Sequence, residues 1–253
     1  MRRSRLQWRG VAQKNQTIKI VRLVKRRPDF TLAQFREYWL TRHAEHERRA
    51  VESTLLQKVV ASIAIGEAAT GEAAPPFDGM VALYFRNLDE ARTIFSGPAT
   101  AAMREDARNF VARDAMPPQI FADEYLVSEK PQAASAMKSS GRLKIIRTLC
   151  RRRDLSRAQF RDYWLSIYSK LEDKVIETTS AQRAVASFAI DEYREEPDFD
   201  GMTELYFSRI EDVRALLAGP VPAMLRKDEE NFVQMDAPAV RLVAEEYLIA
   251  EKS

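Results

Sequence analysis

The sequence predicts an α+β fold built from two tandem copies of one unit. Residues 33–40 (AQFREYWL) are matched by residues 158–165 (AQFRDYWL), 125 positions later. Residues 77–80 (FDGM) are matched by residues 199–202 (FDGM), 122 positions later. Because these matches keep their order along the chain, they indicate a tandem duplication, with three extra residues between the two motifs of the first copy.

Each copy contains the same order of predicted elements. Leu-rich and β-branched runs predict strands at residues 18–25, 58–65, 80–85 and 119–127, and at residues 143–150, 183–190, 202–207 and 241–249. Capping boxes, Thr31 with Gln34 and Ser156 with Gln159, predict a helix start after each first strand. A second helix, broken by a Gly-Pro pair, precedes each last strand. The order β-α-β-β-α-β is that of a ferredoxin-like unit.

The repeats divide the 253-residue chain into four segments. Residues 1–16 are predicted to be a basic N-terminal arm, because they are rich in Arg and lack apolar periodicity. Residues 17–128 and 142–253 are the two repeated units. Residues 129–141 (EKPQAASAMKSSG) have the Ala, Ser and Lys content of a linker.

Composition restricts the classes of function. The formal net charge is +3, and much of that excess lies in the arm, so no nucleic-acid groove is predicted. One cysteine excludes an internal disulfide, and two histidines exclude a His-rich metal site. No apolar run approaches the roughly 20 residues of a membrane span. We therefore expect a cytoplasmic protein that binds neither membrane nor nucleic acid and that uses no cofactor.

A signature in the first copy resembles that of the EthD family. It reads Phe-x-x-Tyr-Trp-x-x-x-His at residues 35–43 and is followed by Phe-Asp-Gly and Leu-Tyr-Phe. The similarity covers about residues 18–128 and 143–250, and the second copy departs from it at the histidine, where Tyr168 stands. The resemblance implies a dimeric α+β barrel, in which two ferredoxin-like units pair through their sheets. Here it implies that the two copies close one eight-stranded barrel within the chain.

The physics of sheets favours the same arrangement. A four-stranded sheet with helices on one face leaves its other apolar face uncovered, and a second copy can cover it. A barrel of about eight strands has room inside for side chains or one small ligand. We therefore expect a pocket inside the barrel, near the first helix.

His43 is the first candidate for a catalytic residue. On a helical wheel it shares the inward stripe of Phe35 and Trp39, and the EthD-like signature has its histidine there. We expect an acid/base group at the pocket mouth, and the alternative is a histidine packed in the core. His43 and His46 have a spacing that suits a metal ion, but the chain has no other histidine and its one cysteine is distant, so no metal is predicted.

Glu204 is the second candidate for a catalytic residue. It shares one face of its strand with Tyr206, and the first copy has Ala82 at the matching position. A carboxylate in an apolar barrel would have a raised pKa and act as acid or base, whereas on the outer face it would be a solvated charge. Arg22 and Arg147 occupy one position in the two copies, where each would bind a substrate oxyanion or pair with a glutamate at the rim.

Four aromatic side chains are candidates for contact with a substrate, and for Trp39 the alternative is that it only packs in the core. They are Trp39, Tyr84, Tyr168 and Tyr206. A tyrosine has an ordinary pKa of about 10 and is a poor base at neutral pH. Catalysis is therefore expected to depend on the first copy, which has the histidine, and not on Tyr168.

Together these features predict a small-molecule enzyme with a pocket in the barrel. The superfamily that the sequence resembles includes dehydratases, cyclases, isomerases and cofactor-free oxygenases. A lyase or isomerase that moves a proton on an aromatic or polyketide-like substrate requires the fewest groups. A cofactor-independent monooxygenase and a non-catalytic binding or stress-response protein are the alternatives. A homodimer of the whole two-repeat chain is also compatible with the sequence.

Overall fold

The structure, a computed structural model, describes residues 12–66, 75–97, 100–113, 117–131, 142–190 and 196–252. Most of the predicted arm (residues 1–11) and most of the predicted linker (residues 132–141) lie outside these ranges. Within them, no helix is long and apolar enough to cross a membrane.

The two copies fold into the same order of elements. The first copy contains β1 (Gln13–Val24), α1 (Leu32–Tyr38), α2 (Ala44–Ser53), β2 (Lys58–Ala64), β3 (Gly79–Phe85), α3 (Leu88–Ser96), α4 (Ala101–Ala107) and β4 (Gln119–Glu129). The second contains β5 (Arg142–Leu149), α5 (Arg157–Tyr163), α6 (Ser169–Thr178), β6 (Arg183–Ala189), β7 (Gly201–Phe207), α7 (Ile210–Ala218), α8 (Val221–Glu229) and β8 (Arg241–Glu251). The predicted strands and the capping boxes at Thr31 and Ser156 are confirmed. Strand β1 begins inside the stretch assigned to the arm.

These strands of the described chain close one barrel. Their order around the ring is β1-β3-β2-β8-β5-β7-β6-β4, and β4 pairs with β1. The two copies are joined twice, each time by pairing the second strand of one copy with the last strand of the other: β2 with β8, and β4 with β6. The predicted closure of an eight-stranded barrel within one chain is therefore confirmed.

Alternate residues of each strand fill the inside of the barrel. An apolar cluster there draws on both copies, and its buried members include Val21, Leu23, Met80, Ile146, Met202 and Leu242. The intervening residues of β1, Ile20 and Val24, pack instead in a cluster with the helix residues Phe35 and Trp39. The sheet therefore has two buried faces, one toward the barrel axis and one toward the helices.

A π-helical turn interrupts the first helix of each copy at the same point. It spans Trp39–His43 between α1 and α2, and Trp164–Tyr168 between α5 and α6. The N–H of Ala44 donates to the carbonyl of Trp39, five residues back. Such turns are rare in proteins, and those that occur are often found at functional sites. Here the turn ends at His43 in the first copy and at Tyr168 in the second.

The repeated Phe-Asp-Gly motif ties the end of the first strand to the start of the third. Asp78 accepts a hydrogen bond from the backbone N–H of Arg26 at 3.0 Å. In the second copy, Asp200 accepts the equivalent bond from Arg151 at 2.9 Å. The carboxylate of the motif thus satisfies a backbone donor just beyond each first strand.

The glycine of the motif permits the close approach of helix and sheet. A Cβ atom added at Gly79 would lie 2.9 Å from Cζ3 of Trp39 and 2.9 Å from the carbonyl oxygen of Ser62. Real Cβ contacts are longer, so any side chain at this position would push the tryptophan away from β3. Gly79 therefore helps to fix the position of the helix that carries His43.

Replacing Gly79 with Ala is expected to lower the free energy of unfolding by about 1–3 kcal/mol, the usual cost of overpacking. Gly201→Ala is the matched change, and it should cost less because the nearest atoms there belong only to the side chains of Phe160 and Trp164. Urea unfolding measures both. A Gly79→Ala protein as stable as the wild type would contradict this account of the motif.

Candidate functional site

Two cavities, one in each copy, lie between the helices and the helix-facing side of the sheet. The first has a volume of about 110 Å³ and the second a volume of about 600 Å³. Apolar side chains dominate the lining of the first: Ile20, Val24, Leu83, Met103, Phe110 and Val111. Its polar lining includes Arg22, His43 and Glu47. The cavity beside the first helix therefore lies outside the barrel, contrary to expectation, because the inner face at this level is filled by packed side chains.

A carboxylate holds His43 at the wall of the first cavity. The histidine side chain is 8% exposed, and its Nδ1 lies 2.8 Å from Oδ2 of Asp106. The hydroxyl of Tyr38 donates to the other oxygen of Asp106 at 2.9 Å. Because a carboxylate only accepts hydrogen bonds, Nδ1 carries the proton and Nε2 holds the lone pair.

Burial and hydrogen bonding set the charges of this pair. Burial lowers the pKa of His43, although Asp106 opposes that effect. Burial acts to raise the pKa of Asp106, but hydrogen bonds from His43, Tyr38 and Asn109 outweigh it and the pKa is lowered. At neutral pH the pair is a neutral imidazole and a carboxylate. This is the arrangement of a general base with an orienting acid.

Glu47 is a buried acid in the wall of the first cavity. It is 1% exposed, and its Oε1 accepts a hydrogen bond from Nε1 of Trp39 at 3.3 Å. The same oxygen lies 3.7 Å from Nε2 of His43, beyond hydrogen-bond distance. Burial raises the pKa of Glu47 to about 8. The group is therefore mainly a neutral carboxylic acid at pH 7.

Arg22 reaches the first cavity from β1. Its Nε and Nη2 atoms donate to Oε1 of Gln119 at 2.9 and 2.6 Å. The side chain lies on the helix-facing side of the sheet and not inside the barrel, where the sequence predicts the pocket. This contact holds a positive charge at the wall where a ligand anion would meet it.

The larger cavity of the second copy has different polar groups at the matching positions. The hydroxyl of Tyr168 donates to Oε1 of Glu229 at 2.9 Å. Arg147 donates to both oxygens of Glu229, with Nη2 at 2.7 Å from Oε2. Burial and the neighbouring carboxylate of Glu229 raise the pKa of Tyr168 well above 10. A group that titrates near neutral pH therefore stands at this position only in the first copy.

Six charged side chains inside the barrel form one chain of alternating sign. Their order is Glu124, Lys19, Glu204, Lys144, Glu246 and Arg142. The Nζ atoms of Lys19 and Lys144 each lie 2.6 Å from one oxygen of Glu204. Their outer contacts, with Glu124 and Glu246, are 2.5 and 2.7 Å. Each lysine is therefore neutralised on both sides, which buried charges require.

The expectation of a raised pKa at Glu204 is wrong. Burial alone would raise the pKa, but the ammonium groups of Lys144 and Lys19 outweigh burial and lower it. Its alternative, a solvated charge on the outer face, is also wrong, because the residue is 2% exposed. Glu204 faces the barrel interior whereas His43 faces the helix-side cavity. The two residues predicted to be catalytic therefore do not share one site.

Tyr84 and Tyr206 belong to the barrel interior as well. The hydroxyl of Tyr84 donates to Glu124 at 3.2 Å, and that of Tyr206 donates to Glu246 at 2.9 Å. Both tyrosines border a polar cavity of about 480 Å³ at one end of the barrel. Of the predicted site residues, Arg22 and Trp39 lie with His43, while Arg147 and Tyr168 line the second copy's cavity.

Several charged residues of these sites are not among the sequence candidates. They include Asp106, Glu47, Lys19 and Lys144. Lys19 and Lys144 occupy matching positions of the two copies, as do Glu47 and Glu172. A comparison of the copies for charges retained within apolar strands would find the two lysines, whereas Glu47 and Glu172 lie among other charged residues and give no such signal. Over the described ranges, no group of three His, Cys, Asp or Glu side chains is arranged to hold a metal ion.

The protein is an α+β barrel protein built from two repeats. The repeats close one barrel within the chain, and each repeat has a cavity between its sheet and its helices. The EthD domain family matches residues 27–114 and 152–236, which together exceed half of the chain. The chain belongs to the EthD family, and the two matched regions confirm its two tandem copies. No curated protein matches its sequence.

Solved structures share the fold at very low sequence identity. An anthrone oxidase-like protein aligns with a TM-score of 0.60 and 6% identity over 94% of this chain and 96% of that one. A predicted monooxygenase from Fusobacterium nucleatum has a TM-score of 0.51 and 7% identity, covering 94% of each chain. A predicted chlorite dismutase has a TM-score of 0.51 and 10% identity, covering 92% of this chain and 95% of that one. At such identities the likeness extends to the fold alone.

Replacing Glu204 with Gln is expected to cost about 3–5 kcal/mol of stability at neutral pH, because two buried lysines lose a partner. The pKa of Glu204 is lower in the folded protein than its ordinary 4.5, so its carboxylate stabilises the fold fully above that value and less as the pH falls. The stability difference between wild type and variant should therefore narrow below about pH 4.5.

Urea unfolding at a series of pH values measures this difference. Asp29→Asn is the control, since Asp29 pairs with Arg27 at the exposed surface and should contribute little. A difference that stays constant as the pH falls would contradict the stabilising role of the Glu204 carboxylate.

Proposed function

We propose that the protein is a cofactor-free lyase or isomerase that transfers a proton on a small carbonyl or phenolic substrate bound in the first cavity. The observation that carries the proposal is the His43 and Asp106 pair at the cavity wall, with its contact of 2.8 Å. It supplies a neutral base whose tautomer is fixed and whose lone pair is on Nε2.

The proposed step breaks a C–H bond next to a carbonyl group. Nε2 of His43 takes the proton, and the electron pair of the broken bond forms the C=C bond of an enolate. The imidazolium that results is stabilised by Asp106, which already binds Nδ1. The imidazolium then gives a proton to the same carbon after exchanging it with solvent, to another carbon, or to a hydroxyl oxygen whose C–O bond breaks as water leaves. These three outcomes are exchange, isomerisation and dehydration.

The cavity supports a small and mainly apolar substrate. Its volume of about 110 Å³ is slightly below the ~150 Å³ of an engineered cavity that binds benzene. One six-membered ring, or the reactive ring of a larger aromatic compound, fits this scale. The guanidinium of Arg22 would attract the negative oxygen that develops when the proton leaves.

The two copies are proposed to differ in activity. Tyr168 donates to Glu229 and its raised pKa leaves it protonated near neutral pH, so the second cavity has no base in the place of His43. We therefore assign the reaction to the first copy.

We also propose that ferredoxin-like units cover residues 17–128 and 142–253, which the order 4-1-3-2 of the strands within each copy supports.

Exchange of deuterium into cyclohexanone, a one-ring ketone, tests the proposal. In D₂O the wild-type protein should accelerate loss of the α-proton signal, followed by ¹H NMR. His43→Gln should reduce that acceleration by about 10²-fold, the usual contribution of a general base. Tyr168→Phe is the matched control in the second copy and should retain the wild-type rate.

Four results would contradict the proposal. If the wild type accelerates no exchange, or if both variants lose activity equally, proton transfer at His43 is wrong. Oxygen consumption that depends on His43 with a one-ring phenol would favour the monooxygenase alternative, in which the substrate anion reacts with oxygen. A protein that accelerates nothing but retains a small molecule through purification, detected by mass spectrometry, would favour the binding protein.

A further inference from the structure

One buried oxygen of a residue that lines the first cavity has no hydrogen-bond partner among the described residues. It is Oε2 of Glu47, which is inaccessible to solvent. The other oxygen, Oε1, is occupied by Nε1 of Trp39 at 3.3 Å. Buried polar atoms are nearly always paired, so an unpaired oxygen on a side chain that lines a ligand-sized cavity requires an explanation.

The second copy provides the comparison. Glu172 stands at the position of Glu47, and its Oε2 accepts from Nε1 of Trp164 at 3.0 Å, as Glu47 does from its own tryptophan. Its other oxygen, Oε1, accepts from the hydroxyl of Thr203 at 3.1 Å. Both oxygens of Glu172 therefore have protein partners.

One substitution between the copies explains this difference. Thr203 pairs across the sheet with Arg147, and the residue that pairs in the same way with Arg22 is Val81. Valine has nearly the shape of threonine but lacks the hydroxyl. The first copy thus retains the buried acid and its tryptophan but lacks the donor that would occupy the second oxygen.

We propose that Oε2 of Glu47 is a substrate contact and that Glu47 is a second catalytic residue, an acid that hydrogen-bonds the carbonyl or phenol oxygen of the molecule whose proton His43 removes. This inference rests on the proposed function and deepens it. It specifies the substrate class as compounds that carry an oxygen acceptor next to the acidic C–H bond. Val81, by lacking a hydroxyl, leaves the acid available to the substrate.

Each proton that moves in the proposed step then has both its donor and its acceptor within the cavity. The C–H bond breaks and its proton goes to Nε2 of His43, while the O–H bond of Glu47 breaks and its proton goes to the substrate oxygen. The substrate becomes an enol, and the site holds an imidazolium and a carboxylate. Because Oε1 of Glu47 lies 3.7 Å from Nε2, these two new charges form as neighbours and stabilise each other.

Variants of Glu47 and Val81 test the inference in the deuterium exchange of cyclohexanone. Glu47→Leu should lower the rate by about 10²-fold, as expected for loss of a general acid. Val81→Thr rebuilds the donor of the second copy beside an intact Glu47 and His43, and it should lower the rate by about 10-fold because the hydroxyl competes with the substrate. Val81→Ala should lower it less, and Thr203→Val should retain the wild-type rate.

The infrared band of ¹³C-labelled cyclohexanone provides a readout that does not depend on turnover. Bound to the wild type or to His43→Gln, the carbonyl stretch should lie at lower frequency than in Glu47→Leu or Val81→Thr, because a hydrogen bond weakens the C=O bond. Circular dichroism of each variant checks that it is folded.

The outcomes separate this inference from the function on which it rests. If His43 is needed for exchange but neither rate nor band changes in Glu47→Leu and Val81→Thr, Glu47 is not a catalytic residue. If no exchange occurs but the band still depends on Glu47, the contact is correct and the reaction is wrong. A wild-type protein that binds no cyclohexanone would overturn the inference directly.

Discussion

The pairing of β2 with β8 and of β4 with β6 is the constraint on which the rest of this molecule depends. These two seams close the ring, so the inner faces of both sheets lose contact with water together. The charged side chains buried on those faces must then find opposite charges within the barrel, which the chain centred on Glu204 provides. The same closure fills the centre with apolar side chains and leaves the space between sheet and helices for the cavities that contain His43 and Tyr168.

A comparison of the two copies distinguishes the residues that support the fold from the polar residues that differ between the two cavities. Both copies keep the capping box, the π-helical turn, the Phe-Asp-Gly motif and the buried glutamate that follows the turn by four residues. These features hold each first helix against its sheet, so they persist where the chemistry has changed. At the end of the turn, one copy has a histidine that is hydrogen-bonded to an aspartate, and the other has a tyrosine that is hydrogen-bonded to a glutamate. The two sites thus differ in proton affinity while their supports remain nearly the same.

Much of the fold could be predicted because each element is encoded twice, and agreement between the copies compensates for weak local patterns. The inward stripe of the first helix likewise identified His43. Glu204 shows the limit of such reasoning: strand alternation groups it with Tyr206 but does not reveal what faces it. Its partner Lys19 is 185 residues away and lies on the other copy. Asp106, the partner of His43, also comes from a different helix, so the charge state of either residue depends on tertiary contacts that no local pattern contains.

The single carboxylate at the centre of the barrel has an evolutionary consequence. In a symmetric dimer of identical chains, every residue near the two-fold axis occurs twice. A glutamate at the position of Glu204 would therefore lie close to a second glutamate. The first copy has Ala82 at the position of Glu204. The fused chain therefore places one acid, and not two or none, between the ammonium groups of Lys19 and Lys144.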